Sequence, residues 1–320
     1  MPALHAHFRA VVGTLQELNG PELRKPGLAD HACLLGAAAL WGSSFILNEV
    51  ALADFPPVAI ATYRIVLAAA VVCVICRRLA LRVRLSRRTI LLFAAIGILN
   101  SAVPFTLIGW GQLRIDSATT AILLASTPFS TLLFSHFMTR DDRFSWSKLA
   151  GLTLGFIGVF VLLGDGVLRG GGSLAGMLAI VLAGCCYSMS SLLIRRLAGT
   201  PALVLVAGTL VSACIVLVPV LLYLHPPWQQ SWHADTLGAL VFLALGPTAI
   251  AYVLRAHIVQ VNGAVFMSNV GYLIPLFAVA WGWIFLSQQP SLVMWLSLGL
   301  ILAGIAVGQR SKLTVEAQDT

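Results

Sequence analysis

Ala125-Ser126-Thr127-Pro128-Phe129 and Tyr272-Leu273-Ile274-Pro275-Leu276-Phe277 carry the reading of this chain. Each lies in an apolar run free of Asp, Glu, Lys and Arg, at 117–139 and 264–286, and in each the proline stands twelfth of 23 residues. Such a run matches the ~20 apolar residues that cross a bilayer as a helix. A proline halfway along removes a backbone donor and frees a carbonyl, which in lipid must be satisfied by neighbours or by a water-filled cavity. Two such interruptions at one depth predict a unit that occurs twice and kinks at paired positions.

Eight further runs fall at about 31–51, 57–76, 89–111, 147–164, 174–194, 201–224, 236–254 and 292–308. They are punctuated by Asp54-Phe55-Pro56-Pro57, an arginine-rich 77–88 segment, Arg140-Asp141-Asp142-Arg143, Gly170 to Ser173, Arg195-Arg196 and His225-Pro226-Pro227. The expectation is an all-α membrane protein of ten transmembrane helices. Composition agrees: 59% of the 320 residues are hydrophobic, 10% are charged and the mean hydropathy is +0.92, whereas a soluble domain carries about 25% charged residues. A soluble enzyme and an extramembrane catalytic domain are excluded. Residues 1–30, broken by Gln16, Glu17 and Asn19-Gly20-Pro21, read as a cytosolic arm and not as a cleaved signal peptide. Residues 309–320 read as a cytosolic tail.

The net charge of +8 is written between the apolar runs, so nucleic acid is discounted as a partner and the lipid bilayer takes its place. With the N-terminus inside, seventeen of the 20 Lys and Arg fall on the inner side, Arg114 and Arg169 fall outside, and Arg64 lies within a span. That bias predicts a multi-pass protein of the cell membrane with both termini cytoplasmic. The six cysteines lie in or at the ends of apolar runs; Cys73 and Cys76 form a lone CxxC without other zinc ligands, so packing is their expected role. No metal or cofactor is expected.

Five spans in 31–165 and five in 174–308 make two halves, and because five is odd the second enters the membrane upside down. Six arginines lie between spans two and three, and none lies in the matching His225-to-Asp235 loop. Arg195-Arg196 follows span six, whereas the loop after span one has no cation. Inverted repeats of this kind are typical of secondary carriers. Gly151, Gly155 and Gly158 in span five and Gly304 and Gly308 in span ten suit close helix packing, within the protomer or in a homodimer.

Trp41-Gly42-Ser43-Ser44-Phe45, Tyr63-Arg64 with the alanine-rich run ending at Arg77-Arg78, Asp116-Ser117-Ala118 leading to Leu124-Ala125-Ser126-Thr127-Pro128, and Tyr272-Leu273-Ile274-Pro275 occur in this order. Over about 31–310 the chain resembles the EamA-type drug/metabolite transporters. The resemblance implies ATP-independent transport of a small molecule, with amino acids, other metabolites and drugs among the cargoes. It departs from the family where Gly-Glu often follows spans four and nine: Asp141-Asp142 stands in the first copy and Gln288-Gln289 in the second. Rival readings are an integral-membrane enzyme acting on a lipid-linked substrate, for which no His-Glu-x-x-His, Gly-x-Ser-x-Gly or Walker loop is present, and a channel, for which no filter-like loop is visible.

Ionisable and polar groups at membrane depth are the candidates for a site. Arg64 is expected either to pair with Glu49 on the adjacent helix or to meet an anionic substrate group. Trp41, Phe45 and Asn48 from the first copy, with Asn269 and Tyr272 from the second, are expected to form a substrate pocket at the midplane between the halves. Glu49, Asn100, Pro104, Pro128 and Pro275 are expected to serve structure or gating. Helix packing and interhelical hydrogen bonding are the plainer roles for all of them. His136 is a lone histidine with no identified partner.

Overall fold

In lipid only a helix satisfies its own backbone without a closed sheet, and every long apolar run here is helical. The computed structural model describes residues 26–316 apart from 82, 84, 139–145, 169–172, 198 and 231. The helices are α1 (Leu28–Ala51), α2 (Pro57–Arg78), α3 (Arg87–Gln112), α4 (Ser117–Leu124), α5 (Thr127–Met138) and α6 (Trp146–Leu168). The second half holds α7 (Leu174–Ile194), α8 (Ala202–Leu224), α9 (Ala234–Leu243), α10 (Ala251–Ser268), α11 (Val270–Leu286) and α12 (Leu292–Glu316). Among the described residues two segments are π-helical: Ile98–Ala102 inside α3, and Ala244–Ile250, which joins α9 to α10. Among the described residues, six helical stretches are long and apolar enough to cross a membrane on length and composition; Leu149–Leu162, Val270–Leu286 and Leu292–Val307 are shorter apolar helices.

Several expected boundaries move. Most of the arm lies outside the described residues, and so do Arg140-Asp141-Asp142-Arg143 and the Gly170-Gly171-Gly172 run. Asp30, placed in the arm by sequence, stands in the first turn of α1, where its Oδ2 accepts from the Gly27 N–H at 2.8 Å. The anticipated gap between 254 and 264 is helical, since residues 255–263 contain no proline; the break falls at Asn269. Helix α12 runs past 308 to Glu316, through a stretch without proline where a tail was expected.

Both proline-bearing spans are interrupted, at Ala125–Ser126 before Pro128 and at Asn269 before Pro275. Around Pro128 the chain does break, between α4 and α5. The hydroxyls of Ser126 and Thr127 donate to the carbonyls of Leu123 and Leu124 at 2.6 Å each, and Leu124 is the acceptor that the missing Pro128 N–H would have served. Pro275 lies inside α11. Tyr272-Leu273-Ile274 before it has no Ser or Thr to take over a freed carbonyl. The π-helical interruptions pair most closely: shifting 98–102 by the Pro128-to-Pro275 offset (275 − 128 = 147) gives 245–249, within Ala244–Ile250.

Helix pairing follows the same two-fold relation. Helix α2 packs on α8 and α6 on α12, each pair joining equivalent spans of the two halves. Contacts of α1 with α11 are mirrored by α5 with α7, and contacts of α3 with α7 are mirrored by α9 and α10 with α1. One apolar core is the seam of α2 and α8, where Ile65, Ala68 and Val72 meet Leu210 and Ala213, all 1% exposed or less. In the α6–α12 seam a Cβ on Gly304 would stand 2.6 Å from the Gly151 carbonyl oxygen, so these backbones touch. Gly151, Gly155, Gly158 and Gly304 therefore serve a seam within the chain.

Candidate functional site

Between the halves lies a cavity of about 610 Å³, within the range of small-molecule sites. Its walls include Trp41, Phe45 and Asn48 from α1, Arg64 from α2, Asn100 and Phe105 from α3, Tyr187 from α7, Pro247 and Tyr252 from the second π-segment and α10, and Tyr272 and Pro275 from α11. Arg195 and Arg255 stand at its rim, and both are exposed.

Arg64 is 7% exposed. The local sequence of the second half positions it. Pro247 leaves the Leu243 carbonyl without its helical donor, and the Thr248 hydroxyl supplies one at 2.9 Å. The same oxygen accepts from Nε and Nη2 of Arg64 at 3.2 and 3.0 Å. On its other side the guanidinium lies 3.9 Å from the centroid of the Phe105 ring, a cation–π contact. The expected pairing of Arg64 with Glu49 does not occur. Sequence depth sets how far along a helix a residue sits and leaves open which neighbour it faces; Arg64 faces the π-segment, while Glu49 faces α4 and α11.

Glu49 instead joins α1 to the start of α4 and the segment after α11. Ser287, in the left-handed region at φ 53°, ends α11, and the Gln288 N–H turns back to the Gly282 carbonyl at 3.1 Å. This returns the Gln288 side chain to α1, where Nε2 donates to Oε1 and Oε2 of Glu49 at 2.8 and 2.9 Å. Glu49 Oε2 also accepts the Ser117 N–H at 3.1 Å, a carboxylate at the N-terminus of α4, and the Ser117 hydroxyl donates to Gln288 Oε1 at 2.8 Å. The residue that departs from the family pattern, Gln288, is thus one link between the halves. At the same end, outside the spans, Asp54 accepts from Thr236 and pairs with His233 Nδ1 at 2.8 Å. Hydrogen bonds from Thr236 and His233 hold the Asp54 carboxyl below the usual range, and Asp54 raises the His233 imidazole above its own.

The other predicted residues divide. Trp41 meets Tyr252 edge to face at 6.3 Å. Asn48 is buried and its Nδ2 is spent on Gln112 Oε1 at 2.7 Å, while Gln112 Nε2 donates to the Phe45 carbonyl at 2.9 Å. Asn100 bridges the halves: it accepts from Ser190 at 3.1 Å, and its Nδ2 is 3.4 Å from the Tyr252 hydroxyl. Pro104 is buried off the cavity, and Pro128 and Pro275 line it. Asn269 is exposed and away from the cavity, because it forms the break between α10 and α11. Sequence reading missed Gln112, Tyr187, Thr248 and Tyr252. The 147-residue offset was the available signal, since it matches Asn100 with Pro247 and Phe105 with Tyr252.

The fold and the cavity define a multi-span membrane protein of two related halves with a small-molecule-sized site between them. The chain belongs to the EamA-like transporter family, whose model matches residues 31–164 and again 174–307. It is 27% identical over 270 residues to an S-adenosylmethionine/S-adenosylhomocysteine transporter of Chlamydia trachomatis serovar L2, covering 79% of this chain and 80% of that one. It is 23% identical to a probable terminal-alkyne amino-acid exporter of Streptantibioticus cattleyicolor, covering 85% and 91%. A solved crystal structure at 20% identity superposes with a TM-score of 0.66 over 90% of this chain and 99% of the other, a likeness of fold. Family and relatives are transporters and not enzymes, so a small-molecule substrate and membrane lipid are its partners.

Proposed function

We propose that this chain is a secondary, ATP-independent carrier of small metabolites, working by alternating access. Ten spans form two inverted halves, 31–165 and 174–308, with both termini on the cytoplasmic face of the cell membrane. The observation that carries the reading is the cavity built from both halves, with exposed Arg195 and Arg255 in its lining; in this reading the Glu49–Ser117–Gln288 hydrogen bonds hold its other end shut. A site between inverted halves becomes reachable from alternate sides when one half rocks against the other. Trp41, Phe45, Arg64 and Tyr272 contact the substrate in this reading, and Glu49 with Gln288 gates the outer side. The relatives named for S-adenosylmethionine and for a terminal-alkyne amino acid put solutes of that size first in a screen.

Counterflow in proteoliposomes tests this, with a panel of amino acids, S-adenosylmethionine and aromatic carboxylates. Saturable, ATP-independent counterflow of any of them supports the proposal. Non-saturating efflux, conversion of the solute to a product, or no flux with the whole panel overturns it.

A further inference from the structure

We infer that the cavity selects organic anions: its cargo carries a carboxylate or another anionic group that docks on Arg64, and it bears no net positive charge. The inference rests on the carrier reading above and names the substrate class of that site. Three observations support it.

The first is charge. Among the described residues that line the cavity, the charged side chains are Arg64, Arg195 and Arg255, and no Asp, Glu or Lys joins them. Glu49 is committed to Gln288 and Ser117 and is not part of the lining. A cationic solute would meet three guanidinium groups and, among the described residues, no counter-charge in a low-dielectric wall, which raises the cost of every like-charge approach.

The second is the unfinished coordination of Arg64. A guanidinium has five N–H donors. Both hydrogen bonds that Arg64 makes end on one oxygen, Thr248 Oγ1. No carboxylate answers it among the described residues, and a buried charge in an apolar span costs heavily unless something pairs it. Thr248 and the Phe105 face fix the plane of the group from two sides, leaving the remaining fork for a planar acceptor in the cavity. That geometry suits carboxylate or phosphate, which guanidinium binds with two parallel hydrogen bonds.

The third is the placement of the cations in series. Arg195 and Arg255 are exposed at the rim and Arg64 is buried within. Rim charges of one sign over a low-dielectric cleft concentrate the opposite ion and speed its entry. Beside Arg64 the wall is aromatic, from Phe105, Tyr187, Tyr252 and Trp41, so an apolar or aromatic body behind the anionic head fits.

Three solutes of one skeleton decide the matter: 3-phenylpropionate, 3-phenylpropanamide and 3-phenylpropylamine, measured by equilibrium binding and by counterflow with the full chain in nanodiscs and proteoliposomes. The carboxylate is expected to bind at least about tenfold tighter than the amide or the amine, on the scale of one charged hydrogen-bond pair. Arg64→Gln should weaken carboxylate binding by about ten- to a hundredfold and amide binding by much less, since a neutral acceptor gains less from the guanidinium. Arg195→Gln combined with Arg255→Gln should slow carboxylate uptake at low ionic strength and flatten its salt dependence. If Arg64→Gln does not fold, the three-solute comparison on the unaltered chain decides alone. Amine or amide binding as tight as carboxylate, binding by none of the three, or carboxylate affinity unaltered in a folded Arg64→Gln overturns the inference. Saturable counterflow of a cation in that case leaves the carrier reading standing, whereas absence of flux for the whole panel removes the carrier reading itself.

Discussion

Replacing Glu49 by Gln should unfasten the closed end without disturbing the rest of the bundle. In the structure the carboxylate receives Gln288 Nε2 at 2.8 and 2.9 Å and the Ser117 N–H at 3.1 Å. A Gln side chain has nearly the same shape but is neutral, and charge-assisted hydrogen bonds are roughly twice as strong as neutral ones. Two weakened partners at about 1 kcal/mol each give about 2 kcal/mol, already discounted because Glu49 is only half-buried. That shifts the closed-to-open equilibrium by about 30-fold, at 1.4 kcal/mol per factor of ten. Accessibility of a buried cavity residue reads this shift. With the six native cysteines replaced, Ala121→Cys, 1% exposed on the cavity wall, is labelled by a membrane-impermeant thiol reagent added from the Glu49 side. The labelling rate should rise about 30-fold in Glu49→Gln, in proportion to the open population. An unchanged rate, in protein that inserts and retains its thermal stability, would refute a gating role for the Glu49–Gln288 link.

Gly304→Ala should lower the thermal unfolding temperature in detergent, because the new Cβ meets the Gly151 carbonyl oxygen at 2.6 Å and the Gly155 nitrogen at 2.8 Å; overpacking of this kind costs about 1–3 kcal/mol. Gly164→Ala, with nothing within 4 Å, should not lower it, and equal effects would contradict the seam. For the Asp54–His233 pair, the His233 midpoint followed by nitrogen NMR should lie above that of an ordinary histidine and fall in Asp54→Asn. The imidazolium contribution is present below the unfolded histidine value and is lost as pH rises through the raised folded one. The carboxylate contribution is present above the unfolded aspartate value and is lost as pH falls through the lowered one. A His233 midpoint unmoved by Asp54→Asn would show that the pair does not form.

The repeat was legible in the sequence because a twelfth-position proline in equal apolar runs, and loops of opposite charge, follow from how the chain must sit in lipid. Helix pairing was not, since an apolar surface packs as readily on one neighbour as on another. Arg64 shows the limit most clearly: its depth was readable, but its partner, Thr248, is exposed as an acceptor by what Pro247 does to the backbone four residues back. Glu49 was read as the partner of Arg64 because both were expected toward the same ends of adjacent helices, and it is Ser287, bending the chain after α11, that brings Gln288 to it. Among the pocket residues, Trp41, Phe45, Asn48, Arg64 and Tyr272 do line one cavity. Asn269 had the right depth and the wrong local structure, a helix break.

Alternating access requires the two halves to move apart at the Glu49–Gln288 end for exchange to occur. The direct measurement is counterflow of 3-phenylpropionate or another transported solute by a cysteine-free chain carrying Glu49→Cys and Gln288→Cys, before and after bridging with a short bifunctional thiol reagent, and again after its reductive release. Exchange that stops on bridging and returns on release is the expected result; exchange undiminished in fully bridged protein would contradict alternating access through this cavity.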